Sequence, residues 1–504
     1  MLVQDHFARS VNRYPDKVAI SCRDASLTYS ELDKLTNSMV RALNSEGANR
    51  GDFIPIFMDK SERAVVSILG VLKSDCAYVP LDIDSPKERL NSIFEVTTAP
   101  LVIVDTESRK LLSSLYAGQV PISMFDIESI EQFDCSPVSY KNLSIDIAYV
   151  LFTSGSTGTP KGVMVHHGAI TDYIAWCLKE YSISSDDSVA NHAPLYFDNS
   201  TFDLYTALFS GATLHLVYRE LNLFLPLLSS WLRDNNISVL FCVPSVLTLL
   251  LKTRRMRADA LPNMRRIICA GEVLPPNVLR TWMLLFPHIV FSNMYGPTEI
   301  TVDCTFFHFL EPPEEDCLSV PIGWARSNME LFVRTEDGAI HSPESVTGEL
   351  LVRGLSVTYG YLGDRDKTDQ SYIQNPFNDK YHDLLYCTGD SVRFDANSCC
   401  FYIGRQDNQI KHLGHRIELG EIESALTSIN EVGEAVVVYK DLLVAVVSLI
   451  DDIAIELVRD ALSMRVPSYM MPERFVLVSD LPRTANGKYD RSAIASDVWQ
   501  DELS

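Results

Sequence analysis

Between Thr153 and Gly162 the chain places hydroxyls at Thr153, Ser154, Ser156, Thr157 and Thr159, glycines at Gly155, Gly158 and Gly162, and an ammonium at Lys161. Glycines let the backbone come close to a ligand. Backbone N–H groups, hydroxyls and one lysine on a loop are what a polyphosphate needs. The spacing refuses the Walker A pattern, which needs four residues between glycines and then Gly-Lys-Ser/Thr. Here Pro160 precedes Lys161 and Gly162 follows it. A flexible Ser/Thr/Gly linker is the plainer reading. Against it, an apolar run at 147–152 leads in as a buried strand and a second at 163–165 leads out.

Other residues able to do chemistry are spread along the chain. They are Asp198 in FDNS, Thr298 and Glu299 at the end of NMYGPTE, Asp390 in YCTGD, Arg405 and Asp407 in GRQD, and Lys488 in NGKYDR. By residue type alone each has a structural alternative. Glu299 could cap a helix, Tyr295 beside Gly-Pro could brace a turn, and Lys488 in an Asn-Gly turn could be a surface charge.

The elements that position them follow from pattern. A chain of 504 residues is too long for one core, so two or more domains are predicted. A formal net charge of −23 argues against nucleic acid as partner, because binding a phosphate backbone needs a basic face. The eleven cysteines show no CxxC and no zinc spacing, which predicts reduced thiols in a cytoplasmic protein. The N-terminus has no apolar signal core and no apolar run approaches ~18 residues, so no membrane span is expected.

Strand and helix patterns alternate. Strands are predicted at 18–22, 27–29, 53–57 and 101–104, and helices at 30–44 and 61–72. Beyond the loop comes an amphipathic helix over 170–181. Strands at 213–217, 239–243, 266–270 and 289–291 then alternate with helices at 224–235, 245–251 and 275–286. This rhythm predicts layered parallel α/β structure. From 320 to 404 short apolar runs between glycine turns predict a β-rich subdomain. The last hundred residues read as a small α+β unit, with helices at 420–428 and 453–466 and strands at 435–439 and 443–449.

With these stretches in place, the chain resembles the amino-acid adenylation domains of nonribosomal peptide synthetases, within the adenylate-forming superfamily. The phosphate loop, FDNS, NMYGPTE, GELLVRG at 348–354, YCTGD, GRQD, RIELGEIE at 416–423, VPSYMMP at 466–472 and NGKYDR stand in family order. LTYSEL at 27–32 and LKSDCAYVPLD at 72–82 match the first two core motifs, with Asp75 where the family has Gly. The resemblance implies an N-terminal core over 1–404 and a mobile C-terminal domain over 405–504 with its hinge at Asp407. The implied chemistry is attack of a carboxylate on the α-phosphorus of ATP, giving an acyl-adenylate and pyrophosphate.

The resemblance also implies roles. Lys488 bridges the α-phosphate and the substrate carboxylate, Thr298 bonds the α-phosphate, and Glu299 holds Mg²⁺, which takes carboxylate and phosphate oxygens. Tyr295 stacks on adenine, with Gly271 and Glu272 on its other side and Asn293, Met294, Gly296 and Val302 completing the nucleotide site. Asp390 accepts the ribose hydroxyls, with Arg405 as a further ribose or phosphate contact. The substrate pocket carries over as Asp198, Asn199, Phe202, Phe241, Ile268, Ala270, Met294, Val302 and Asp303. A buried ammonium needs an anion, so Asp198 favours an amino acid over a fatty or aryl acid. The bulky Phe202, Phe241 and Met294 predict a small one, alanine or serine first, then a short diamino acid.

No carrier motif follows Lys488 before Ser504. That implies a free-standing enzyme loading a carrier protein with a phosphopantetheine arm in trans, similar also to D-alanine–carrier ligases. An acyl- or aryl-CoA ligase and a silent nucleotide-binding scaffold are the alternatives. Tyr359 and Leu413 depart from the family's arginines and bear on the thioester-forming half.

Overall fold

The computed structural model describes residues 1–504 apart from Asp24, 156–158, Asn408, Leu413, Asp441, 451–452, 484–488 and 501–504. The chain forms two compact units. One comprises Met1–Ile83, Thr97–Leu151 and Gly162–Gln406. The other comprises Asp84–Val96, Phe152–Lys161 and Asp407–Ser504.

Among the described residues the first unit is built on a nine-stranded sheet. Its order is Trp324–Ala325, Thr305–Phe309, Val290–Tyr295, Arg266–Cys269, Val239–Cys242, Ser188–Asn191, Thr213–Leu216, Val18–Cys22 and Ala25–Thr28. Its centre is parallel and its edges antiparallel. A six-stranded sheet runs Ser123–Asp126, Leu101–Val104, Phe53–Phe57, Ala77–Leu81, Ile147–Thr153 and Lys161–His166. One hydrophobic core takes in strands of both sheets and the helices Tyr29–Ser45, Glu62–Lys73, His167–Glu180 and Asn199–Ser210.

The parallel register gives the nine-stranded sheet two chemically distinct faces. Phe241 lies opposite Ile268, and Ile268 opposite Ser292. Side chains alternate along a strand, so Phe241, Ile268, Ala270 and Met294 share the face packed into the first core. Leu240, Ile267 and Phe291 point to the other face, into a second core. The β-rich part is an antiparallel sheet built on Met329–Arg334, Thr347–Gly354, Leu384–Phe394 and Cys400–Arg405.

In the second unit, Gln409–His412 and His415–Glu418 pair as a hairpin. Val432–Tyr439, Leu443–Leu449 and Arg474–Leu477 form a sheet. The helices Leu419–Thr427 and Ile455–Ser463 share its core on one side and Arg491–Gln500 on another.

The structure differs from the sequence reading in detail. The strand expected at 27–29 ends at Thr28, whose hydroxyl accepts from the Glu31 N–H while Glu31 returns to the Thr28 N–H at 2.8 Å. This capping box starts the helix at Tyr29. The strand expected at 289–291 runs on to Tyr295, so Asn293 and Met294 are strand residues. Thr153 closes one strand and Lys161 opens the next, which shortens the phosphate loop. The second strand is extended by segment 359–362: Met164 N–H donates to the Gly360 carbonyl at 3.0 Å and Leu362 N–H to the Gly162 carbonyl at 2.8 Å. Asp75, at the family's glycine position, has φ 62°. Aspartate tolerates that left-handed backbone, and its Oδ1 accepts from Lys141 N–H at 2.6 Å and Asn142 N–H at 2.8 Å.

Candidate active site

In the first unit Tyr295 ends the Val290–Tyr295 strand and its hydroxyl donates to Asp390 Oδ2 at 2.5 Å. Asp390 lies opposite Arg405 in the antiparallel ladder, and Arg405 Nη1 donates to Asp390 Oδ1 at 2.9 Å and to the Thr388 carbonyl at 3.0 Å. Each carboxylate oxygen of Asp390 therefore has a protein donor. Burial, then the Asp390 charge, pushes the Tyr295 phenol well above its ordinary value, so it stays a donor.

After Tyr295 the chain turns through Gly296 into the short helix Thr298–Ile300. A Cβ on Gly296 would lie 2.4 Å from the Val302 carbonyl oxygen, so only glycine fits. Thr298 Oγ1 donates to Asp198 Oδ2 at 2.7 Å. Asp198 precedes the helix Asn199–Ser210, yet its side chain makes no cap bond to that helix. Glu299 is fully buried, and Tyr361 donates to its Oε1 at 2.8 Å. Mg²⁺ commonly takes one or two carboxylates and fills the rest of its shell with phosphate oxygens and water. A single buried carboxylate held by a phenol fits that need.

Four of the pocket positions share one face: Phe241, Ile268 and Met294 stand on the sheet and Ala270 follows the Arg266–Cys269 strand, while Phe202 meets Phe241 edge-on with ring centroids 5.0 Å apart. A Cβ on Gly271, at φ 90°, would come 3.9 Å from Asn199 Nδ2, so these two are neighbours. Val302 is buried. Asp303 is buried too, and its Oδ2 accepts from Tyr173 at 3.0 Å. Glu272 accepts from the Ser245 N–H at 2.8 Å, and Asn293 Nδ2 donates to the Pro321 carbonyl at 2.9 Å. Both thus have backbone partners besides any ligand. Tyr359 stacks on His166 with centroids 4.8 Å apart.

In the second unit the described part of the phosphate loop meets carboxylates. Gly155 N–H donates to Glu421 Oε2 at 2.9 Å, and Lys161 Nζ lies 2.9 Å from Glu418 Oε1. Ser154 Oγ donates to the Arg416 carbonyl at 2.7 Å and accepts from Glu418 N–H at 3.2 Å. Arg89 pairs with Glu421 at 3.2 Å. Burial raises the Glu421 carboxyl, with Arg89 opposing. In the described part of the loop, a backbone N–H and an ammonium are thus each engaged by a carboxylate of this chain. Thr153 Oγ1 is buried and has no hydrogen-bond partner among the described residues. Asp407 Oδ1 accepts from Gln409 N–H at 3.1 Å. Ser156, Thr157, Gly158, Leu413 and Lys488 lie outside the described residues.

Sequence reasoning missed Tyr361, Thr388, Tyr173 and Arg326, and gave Glu418 and Glu421 no role beyond their place in RIELGEIE. Tyr361 could have been suspected from its position in the Gly-rich YGYLG at 359–363.

The model of the AMP-binding enzyme family matches residues 7–362, and that of the AMP-binding enzyme C-terminal domain matches residues 421–488. The chain belongs to the AMP-binding enzymes. Adenylate-forming enzymes use ATP, and this one is of the type of nonribosomal-peptide adenylation domains and D-alanine–carrier protein ligases. It is 31% identical over 509 residues to a D-alanine–D-alanyl carrier protein ligase of Bacillus anthracis, covering 96% of this chain and 97% of that one. It is 34% identical over 503 residues to tyrocidine synthase 3 of Brevibacillus parabrevis, covering 98% of this chain but 7% of the synthase. The chain likewise spans only 44% of tyrocidine synthase 1. The AMP-binding enzyme shares its fold with the Vibrio cholerae adenylation domain AlmE, solved with glycyl-adenosine-5'-phosphate. The TM-score is 0.88 at 24% identity, over 99% of this chain and 98% of that one. Among its described residues no helix is long and apolar enough to cross a membrane.

Proposed function

We propose that this AMP-binding enzyme activates a small amino acid with ATP to aminoacyl-AMP and pyrophosphate. It then transfers the aminoacyl group to the phosphopantetheine thiol of a separate carrier protein, in nonribosomal-peptide or cell-wall chemistry. The observation that carries the amino-acid reading is Asp198. Its carboxylate makes no cap bond to its own helix and accepts from Thr298 instead, and that helix also carries Phe202, which packs edge-on against Phe241. A carboxylate at the edge of an apolar pocket is what an α-ammonium leaving water requires. The relative of Bacillus anthracis, matched over nearly its whole length, is a ligase named for D-alanine and its carrier, which supports a small substrate and a carrier acceptor.

In this reading the substrate carboxylate attacks the α-phosphorus, and the bond to the pyrophosphate leaving group breaks. Thr298 and Lys488 stabilise charge at the α-phosphate, and a charge-stabilising donor fixed in advance is worth most there. Glu299 would hold Mg²⁺, which supplies charge neutralisation on the leaving pyrophosphate. Asp390 and Arg405 fix the ribose end, and Tyr295 the base. The two half-reactions are divided by rotation at Asp407 between a core of 1–404 and a C-terminal domain of 405–504. Exchange of labelled pyrophosphate into ATP, dependent on an amino acid, tests the first half. Loading of a phosphopantetheinylated carrier tests the second.

A further inference from the structure

Directly after the Thr298–Ile300 helix the backbone enters a conformation that side-chain-bearing residues rarely adopt. Thr301 has φ 57° and Val302 φ 72°. Both are β-branched, the class least suited to the left-handed region. Asp303 N–H reaches back to the Thr301 carbonyl at 3.1 Å, closing a tight turn around Val302. Such a turn persists only where its surroundings over-determine it.

Three supports are present. Gly296 leaves room for the Val302 carbonyl. Thr301 Oγ1 donates to the Ser356 carbonyl at 2.8 Å. The third is Arg326, a fully buried guanidinium whose Nε donates to the Asp303 carbonyl at 3.0 Å. Its Nη1 donates to Asp172 Oδ2 at 2.8 Å and to the Ser327 carbonyl at 3.0 Å, and its Nη2 to Ser356 Oγ. It also lies 5.4 Å from the ring centroid of Tyr173, the residue that donates to the Asp303 carboxylate. One planar fork thus touches the strained turn, the segment at Ser356 and the helix His167–Glu180. Buried ion pairs are weak evidence of stability, because apolar replacements often serve as well. A buried pair that grips a strained backbone at a binding face has another use, which is position.

We propose that Arg326, oriented by Asp172, is a positioning residue. It holds the 301–303 turn and so fixes where Val302 and Asp303 stand toward the bound amino acid. The inference rests on the proposed function for that last step, and on geometry alone for the hold on the turn.

Two variants test it. Arg326→Lys keeps a charge for Asp172 but loses the planar fork. Arg326→Met combined with Asp172→Asn removes both charges, leaving none buried alone. The first measurement is native-state deuterium exchange of the peptide 298–306, which needs no substrate. Its amides should exchange at least ~10-fold faster in both variants, while peptides of the Val239–Cys242 and Arg266–Cys269 strands stay protected. The second is pyrophosphate-exchange kinetics. KM for the amino acid should rise about 10²-fold, the scale of a small misplacement, well beyond any rise in KM for ATP. Unchanged deuterium exchange at 298–306 in both variants overturns the proposal, as does an equal rise in both KM values. A wild-type protein with no amino-acid-dependent activity overturns the proposed function and the substrate half of this assignment. Deuterium exchange then decides alone whether Arg326 holds the turn.

Discussion

The hydroxyl of Thr298 donates to Oδ2 of Asp198 across 2.7 Å, joining residues a hundred positions apart. The pair links the residue assigned to the α-phosphate with the residue assigned to the substrate ammonium. Asp198→Ala should therefore cost ~3–5 kcal/mol in amino-acid binding, because an ammonium is left buried without its partner. ATP affinity should hardly change. Calorimetric titration with each ligand reads both, and equal weakening of the two would contradict the assignment.

Tyr361 is the phenol on the buried Glu299 carboxylate. Groups that orient a metal ligand commonly affect metal affinity by 10–100-fold. Tyr361→Phe should raise the Mg²⁺ concentration for half-maximal pyrophosphate exchange by ~10-fold, with activity recovered at saturating Mg²⁺. A lowered ceiling with an unshifted midpoint would argue that Tyr361 only braces the fold.

Lys488→Ala should slow adenylation by ~10²–10³-fold and spare transfer from preformed aminoacyl-adenylate. Asp407→Pro should do the reverse, since proline fixes φ at the proposed pivot. Single-turnover assays of each half-reaction separate them. Equal damage to both halves by Lys488→Ala would remove its catalytic assignment, and normal loading by Asp407→Pro would move the pivot elsewhere.

His167 is fully buried beside Asn142, 3.0 Å from Nδ2, and burial lowers its pKa to about 4. The folded state then binds fewer protons than the unfolded state between about pH 4 and 6.5. Its stabilising contribution is complete above pH 6.5 and is lost as pH falls toward 4, up to about 3 kcal/mol for this group. His167→Asn should flatten the fall of Tm over that interval. An unchanged slope would show that other groups carry the acid sensitivity.

Much of this was legible in the chain because the signals are local. The 239–243 stretch and the 267–270 part of its neighbour are short continuous apolar runs, which is how buried parallel strands read. What was not legible depends on residues far apart in sequence. Tyr361 is 62 positions from Glu299, and Tyr173 is 130 from Asp303. No spacing rule joins them. Arg326 sits in a turn-rich stretch where an arginine reads as surface, and only packing shows it fully buried. The strain at Val302 is equally invisible, since valine gives no local sign of a positive φ.

The central claim is that a small amino acid is the carboxylate this enzyme activates. Its most direct test is amino-acid-dependent pyrophosphate exchange with ATP and Mg²⁺. The panel holds all proteinogenic and several D-amino acids, with fatty and aryl acids beside them. Alanine of either hand or serine should support the fastest exchange, a short diamino acid should follow, and the fatty and aryl acids should be inert. Best turnover with a bulky aromatic amino acid, or with an acid lacking an amine, would contradict the account.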